Sequence, residues 1–209
     1  MLVKFDHLTY AANRKSVASI IDTFTKAGYH LTLHEEQAKN MPTKMTYMKN
    51  RDATHGLHFM IPPINGGIPV EIVSYENSTT GDSCIEYAPR ALSFVIKTTD
   101  PNSCKQLLLA LGCDDYGGGN NVGFQGALDE FPIEIKIEKV QEINVNLDNE
   151  GICCPTIFVR PLIKTKKKLE DAGFKCSEVE TFEVQNTQLY VFFVEGNGGE
   201  VFEITSNKI

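Results

Sequence analysis

An eight-residue stretch occurs twice in this chain, and its repetition restricts the folds that the chain can adopt. Residues 65–72 read NGGIPVEI and residues 197–204 read NGGEVFEI, so five of the eight positions agree. A shorter copy, FPIEI, lies at 131–135. Each copy is a turn followed by a strand with one Glu among apolar residues, and successive side chains of a strand point to opposite faces. Three such strands predict a chain built from a repeated unit.

The first unit is predicted to contain one strand, one helix and then three strands. After the first strand, apolar residues recur at helical spacing, as Val17, Ile20, Ile21 and Phe24. Gly28 is placed where such a helix would end. The polar stretch 39–52 has no clear period, and we interpret it as a long loop broken by a short strand near 45–48. The four strands of the unit are predicted at 2–12, 30–35, 54–62 and 67–76.

The same order of elements recurs twice, which predicts an α+β chain of three βαβββ modules. Their predicted limits are 1–76, 88–140 and 152–209, with polar joins between them. Two landmarks support the alignment, because 63 residues separate Glu71 from Glu134 and 63 also separate Ser93 from Thr156. The alignment places His7, Ser93 and Thr156 at one position of the first strands. It places Glu71, Glu134 and Glu203 at one position of the last strands.

Composition and charge exclude several classes of function. The 209 residues carry a net charge of −7, which argues against nucleic acid as a partner because phosphate binding needs a basic surface. No apolar run reaches the roughly 18 residues that a membrane span requires, and the first residues are charged too early for a signal peptide. The six cysteines show no metal-binding spacing. We therefore expect reduced thiols and a cytoplasmic location.

Three short motifs resemble the glyoxalase, or vicinal-oxygen-chelate, superfamily. They are FDHLTY in the first strand, THGLHFMI in the third and PVEIVSYE in the fourth. The likeness covers nearly the whole chain. The THGLHFMI strand resembles a Thr-His of a branch called glyoxalase-like domain proteins, which includes three-module chains near this length. The resemblance implies curved mixed sheets in which two modules form a cup around a small-molecule ligand. Which two modules pair is left open at this stage.

The resemblance also implies a site on the concave face of the cup. In metal-dependent members, the first and last strands of each module supply the ligands, so His7 and Glu71 are candidates for a divalent metal ion. His55 and His58 are three apart on one strand and point to opposite faces, so only one can join them, and we choose His55. Glu71 is also the candidate catalytic residue. The candidates for contact with an organic ligand are His58, Tyr75, Glu134 and Glu203.

Two functions stay open on these residues. The first is a metal-dependent lyase, isomerase or dioxygenase that acts on a small molecule, with the ion polarising substrate oxygens. The second is a metal-free protein of the same fold that sequesters a small molecule, which Ser93 and Thr156 favour because they stand where the pattern has histidines. In a third reading, the odd number of modules leaves one free for self-association, which would make the protein a homodimer.

Overall fold

The structure, a computed structural model, describes residues 2–64, 66–81, 83–116, 118–125, 132–143, 146–184 and 187–209. Two residues of the repeated stretches, Asn65 and Phe131, lie outside these ranges. The described residues form 14 strands and four helices in three consecutive groups, which we call modules 1, 2 and 3. The limits 1–76, 88–140 and 152–209 stay a proposed division of the chain.

Each module contains its elements in the predicted order, with additions. Module 1 comprises β1 (Leu2–Asn13), α1 (Val17–Lys26), β2 (His30–Lys39), α2 (Pro42–Thr46), β3 (Thr54–Ile61) and β4 (Val70–Tyr75). Module 2 comprises β5 (Ile85–Tyr87), β6 (Ser93–Thr98), α3 (Pro101–Leu111), β7 (Asp114–Asp115), β8 (Asn121–Phe124) and β9 (Ile133–Lys139). Module 3 comprises β10 (Gly151–Val159), α4 (Leu162–Asp171), β11 (Lys175–Cys176), β12 (Glu180–Val184), β13 (Thr187–Glu195) and β14 (Val201–Ser206).

The strand pairing is the same in all three modules. The first long strand lies parallel to the last one, so that β1 pairs with β4, β6 with β9 and β10 with β14. The last strand pairs antiparallel with the strand before it along the chain. The predicted α+β class with a mixed sheet is therefore confirmed.

Modules 1 and 3 are joined by a long antiparallel pairing of β1 with β10. Its register runs from Leu2 opposite Val159 to Ala11 opposite Gly151. This pairing makes a curved sheet in the order β2-β3-β4-β1-β10-β14-β13-β12. Module 2 joins the same sheet through β5, which pairs with the start of β10. The cup is thus built from modules 1 and 3, which sequence reasoning left open.

The helices α1, α3 and α4 pack against the face of the sheet opposite the cup, and the core lies between them and the strands, whereas α2 borders the cup itself. The largest hydrophobic cluster contains side chains from all three modules, among them Leu8 of β1, Leu107 of α3, and Ile157 and Leu169 of module 3. Each of these four is completely buried. The three modules therefore share one core.

Two local predictions were wrong. The stretch 39–52 contains the helix α2 and not a strand near 45–48, since Pro42 stands at the start of the helix, where its fixed φ suits the first turn. The join before module 2 contains the strand β5. Ile85 is buried there between Ile96 of β6 and Ile152 of β10.

The register also corrects the alignment of the first strands. Glu134 lies beside Ser93 and Glu203 lies beside Thr156, as predicted. In module 1, however, the residue beside Glu71 is Thr9 and not His7. His7 lies two residues earlier, opposite Thr156 across the β1–β10 pairing. A hydroxyl residue thus stands beside the glutamate in every module, and His7 is an addition specific to module 1.

None of the helices in the described part of the chain combines the length and the apolar character that crossing a membrane requires.

Candidate functional site

A pocket of about 1010 Å³ lies on the concave face between modules 1 and 3. Strands alternate their side chains between two faces, so one face of β1, β3, β4 and β14 supplies His7, His55, Glu71 and Glu203 to it. Apolar side chains form much of its wall, namely Leu33, Leu57, Phe59, Phe158, Phe182 and Leu189. A mostly apolar concavity with a few converging polar groups is the usual form of a small-molecule site.

Four charged groups from β1 and β4 form a chain along the floor of the pocket. The Lys4 Nζ lies 2.5 Å from Asp6 Oδ1, and Asp6 Oδ2 lies 3.0 Å from His7 Nδ1. The opposite ring nitrogen, His7 Nε2, faces Glu71 Oε2 at 3.6 Å and makes no hydrogen bond. The imidazole is therefore held from one side and turned toward the second carboxylate.

These contacts decide the charge of His7. Burial opposes the charged imidazolium, but the Glu71 carboxylate and the hydrogen bond with Asp6 outweigh it and raise the pKa of His7 to about 10. In Asp6, burial likewise opposes ionisation, yet His7 and Lys4 hold the pKa of its carboxyl well below the usual range. The floor therefore carries an imidazolium between two carboxylates at neutral pH.

The pKa values of the two glutamates in the floor are shifted in opposite directions. For Glu71 the positive charge of His7 outweighs burial and lowers the pKa, and Thr9 Oγ1 also donates to Glu71 Oε2 at 3.4 Å. For Glu203, burial and then the negative charge of Glu71 raise the pKa. Glu71 is thus ionised, whereas the surroundings of Glu203 favour its protonated form.

Lys44 of α2 also lines the pocket, although it is only 5% exposed. Burial disfavours its charge, but Tyr75 and the carboxylates of Glu71 and Glu203 outweigh this and raise the pKa of the ammonium. The Tyr75 hydroxyl lies beside the ammonium without reaching the geometry of a hydrogen bond. Lys44 is therefore a positively charged member of the pocket lining.

His55 reaches the pocket from β3 as a neutral ring. Burial, followed by the positive charge of Lys44, lowers the pKa of His55 to about 3. Its Nδ1 is buried without a hydrogen-bond partner, and its ring centroid lies 5.8 Å from that of Tyr75. Tyr75 itself is completely buried behind the floor and does not line the pocket.

Two predicted residues lie elsewhere. His58 points to the opposite face of β3, where its ring centroid is 4.6 Å from that of His34, so it is absent from the pocket lining. Glu134 lies on β9 in module 2, beside Ser93, and none of the described residues of module 2 lines this pocket. The structure therefore brings His7, His55, Glu71 and Glu203 together and leaves His58, Tyr75 and Glu134 outside.

Comparison with known proteins gives likeness in structure only. No family model and no curated protein matches the chain. Methylmalonyl-CoA epimerase from Mycobacterium tuberculosis is 11% identical with a TM-score of 0.48, over 98% of this chain and 88% of that one. Glyoxalase I from Zea mays is 11% identical with a TM-score of 0.39, over 99% and 68%. A candidate dioxygenase from Bacillus subtilis is 14% identical with a TM-score of 0.44, over 99% and 64%. This chain thus spans less than two thirds of the Bacillus protein.

The topology decides the fold. Two βαβββ modules are joined through their first strands, and each strand that ends a module lies beside the strand that begins it. The chain has the vicinal-oxygen-chelate fold. Module 2 is a further copy of the unit, attached beside this pair.

In the vicinal-oxygen-chelate fold a divalent ion would be held by the strands that here carry His7, Glu71, Thr156 and Glu203. His7 suits that role, because a ligating imidazole is ordinarily oriented by a carboxylate such as Asp6. Thr156 does not suit it, since a hydroxyl is a poor substitute for an imidazole and its oxygen is fully buried without a hydrogen bond. Over the ranges that the structure describes, no group of three or more His, Cys, Asp or Glu side chains is arranged to hold a metal ion. The residues therefore do not fit the ion, which stays a prediction of the resemblance.

Sequence reasoning missed two members of the site, Asp6 and Lys44. Asp6 stands directly before His7 in the motif FDHLTY, and that adjacency was a usable signal. Lys44 gave a weaker one, because the stretch has no period and contains two other lysines, Lys39 and Lys49. Only the burial of the Lys44 side chain reveals its place.

Proposed function

We propose that the chain binds a small organic molecule in the pocket between modules 1 and 3 and catalyses a proton transfer on it. The reaction would be of the isomerase or lyase type. Glu71, ionised and exposed to the pocket, would accept a proton from a carbon atom beside a carbonyl group. Glu203 would return a proton to the substrate, and the charged His7 would stabilise the negative charge that develops.

The observation that carries this proposal is that Glu71 and Glu203, from two different modules, line one pocket with apolar walls. Acid–base catalysis needs one group that lacks a proton and one that holds it, and a pair of carboxylates in unequal settings meets that need. The chain of Lys4, Asp6 and His7 supports the pair, because it fixes the imidazole against Glu71.

The test is exchange of carbon-bound hydrogen for deuterium, followed by NMR in D₂O. The probes are 2-oxo acids, 2-hydroxy ketones and thioesters incubated with purified protein. We expect exchange in one of these classes, and Glu71→Gln and Glu203→Gln should each slow it on the order of 100-fold or more. Glu134→Gln is the matched control, since it changes the same repeat position outside the pocket. Equal exchange rates in Glu71→Gln and the unchanged protein would contradict the proposal.

A second candidate is sequestration of a small molecule without chemistry. It is favoured by the contacts within the floor, where His7 is committed to Asp6 and faces Glu71. A protein of this kind would bind a probe in the pocket, as seen by thermal shift, and exchange none of its hydrogen. Homodimer formation and a cytoplasmic location stay predictions for either candidate.

A further inference from the structure

One wall of the pocket consists of apolar side chains that do not belong to the core. Leu33 of β2 and Leu57 and Phe59 of β3 line the pocket from module 1, and we call them the module 1 wall. Leu57 and Phe59 are two residues apart on one strand, so they point to the same face, and Leu33 lies beside Phe59 in the pairing of β2 with β3. None of the three belongs to a hydrophobic cluster of the residues that the structure describes. Stabilisation of the core therefore does not account for this wall.

The module 1 wall begins directly beside the proposed base. Across the pairing of β3 with β4, Phe59 lies opposite Glu71, and side chains in such positions are direct neighbours on one face of a sheet. The Phe59 ring also meets the His7 ring edge-on, with 5.3 Å between the two centroids. Glu71, Phe59 and Leu33 therefore form a row across three strands, from the floor of the pocket outward to β2.

The length of this row and the size of the pocket fit a chain of several carbon atoms. Two strand spacings of about 4.8 Å separate β4 from β2, so the row spans roughly 10 Å. The pocket of about 1010 Å³ matches the upper end of the usual range for small-molecule sites. A short polar substrate would leave the module 1 wall in contact with water, whereas an aliphatic chain would cover it and gain the free energy of apolar burial.

The opposite wall of the pocket is less suited to hold such a chain. Phe182 of β12 packs against the core cluster that contains Val191 and Phe193, so part of its apolar surface is already covered. Leu189, which pairs with Phe182, lies about 13 Å along β13 from Phe193, the residue opposite Glu203. The apolar side chains of this wall therefore do not adjoin a proton-transfer group in the way that Phe59 adjoins Glu71.

We infer that the substrate is a carbonyl compound with an aliphatic chain, and that this chain lies along the module 1 wall outward from Glu71. The carbon atom that loses its proton to Glu71 is then the one that carries the chain. This assignment rests on the proposed function in taking Glu71 as the base, but binding of the chain can be measured without any reaction.

The experiment measures the affinity of two probe series by isothermal titration calorimetry. The probes are 2-oxo acids lengthened by one methylene at a time from pyruvate, and methyl ketones lengthened in the same way from butanone. We expect the affinity to rise about fourfold per added methylene in at least one series until the row is filled. Leu33→Thr keeps a side chain that suits a strand and should weaken binding of the longest probe roughly 10-fold. Leu31→Thr is the matched control and should keep the whole gain, since Leu31 lies on the same strand, is 43% exposed and is absent from the pocket lining.

Two results would overturn the inference. One is an affinity that does not increase with chain length in either series, which includes absence of binding by the longest members. The other is a gain that Leu33→Thr and Leu31→Thr keep equally, with Leu33→Ala as the substitute if the first threonine variant does not fold. Failure of the proposed function is seen separately, because chain-dependent affinity without deuterium exchange would assign the pocket to sequestration and leave the binding of the chain intact.

Discussion

At the scale of single residues, the charge of His7 depends on Glu71, and this dependence can be measured. We expect Glu71→Gln to lower the pKa of His7 from about 10 toward its ordinary value, because the substitution removes the negative charge that does most to raise this pKa and keeps the shape of the side chain. The measurement is NMR titration of the imidazole.

A raised pKa in the folded state stabilises the fold fully below pH 6.5, and that stability is lost as pH rises through about 10. Glu71→Gln should lose less stability than the unchanged protein across this window. Glu134→Gln is the control, and an unchanged protein whose His7 titrates near its ordinary value would contradict the prediction.

The same scale shows which site residues a sequence can reveal. Glu71 and Glu203 were found because a repeated motif marks them, and His7 because it belongs to a recognisable first strand. Glu134 belongs to the same repeated motif but lies outside the pocket. The repeat predicts the position of a residue within its module, but it does not predict which modules pair. Lys44 could not be found by pattern, because its burial results from how α2 packs against module 3.

At the scale of elements, α2 is held by a carboxylate from another module. Both Thr43 donors bond to Glu180 Oε1, which satisfies an amide at the helix start that has no partner within the helix. Glu180→Ala should therefore destabilise the protein by about 1 kcal/mol and speed hydrogen exchange in α2. Mass spectrometry of exchange would check this, with Glu178→Ala, an exposed glutamate before the same strand, as the control. Equal exchange in the two variants would show that the bond does not hold the helix.

A buried hydrogen bond between side chains links modules 2 and 3. Thr98, at the end of β6, is completely buried and donates from Oγ1 to Glu200 Oε2 at 2.8 Å. Glu200 is itself 2% exposed, and its other oxygen has no partner. Thr98→Val should lower the free energy of unfolding by about 1–3 kcal/mol, because it leaves a buried carboxyl group without its donor. Urea denaturation measures the loss. Thr98→Ser keeps the hydroxyl and should stay near the unchanged protein, and equal losses in both variants would assign the effect to packing.

Elements with a clear period were predictable, and those made by tertiary contact were not. The first helix followed from the spacing of Val17, Ile20 and Phe24, and α1 lies there. By contrast, β5 has three residues and forms because Ile85 pairs with Ile152 of β10 on one side and Ile96 of β6 on the other. Short elements of this kind carry too few residues to show a period, so their structure depends on partners far away in the chain.

At the scale of the whole molecule, the pairing of modules 1 and 3 was not predictable from local pattern. The three units have similar strand order, and the pairing is decided by β1 against β10, whose residues are about 150 positions apart. The shared core gives this arrangement a thermodynamic consequence. Because side chains of all three modules lie in one cluster, no module can unfold and leave the other two with a complete core.

We therefore expect one cooperative unfolding transition for the chain. Far-UV circular dichroism and tyrosine fluorescence should coincide during urea denaturation, and the seven tyrosines and absence of tryptophan make the second signal clean. Leu107→Ala, in the completely buried face of α3, should cost about 2–5 kcal/mol and move both signals together, although the residue belongs to module 2. Leu31→Ala changes a leucine that is 43% exposed and should alter stability by no more than about 0.5 kcal/mol. If Leu107→Ala instead separates the two curves, module 2 folds on its own, and the core of modules 1 and 3 is complete without it.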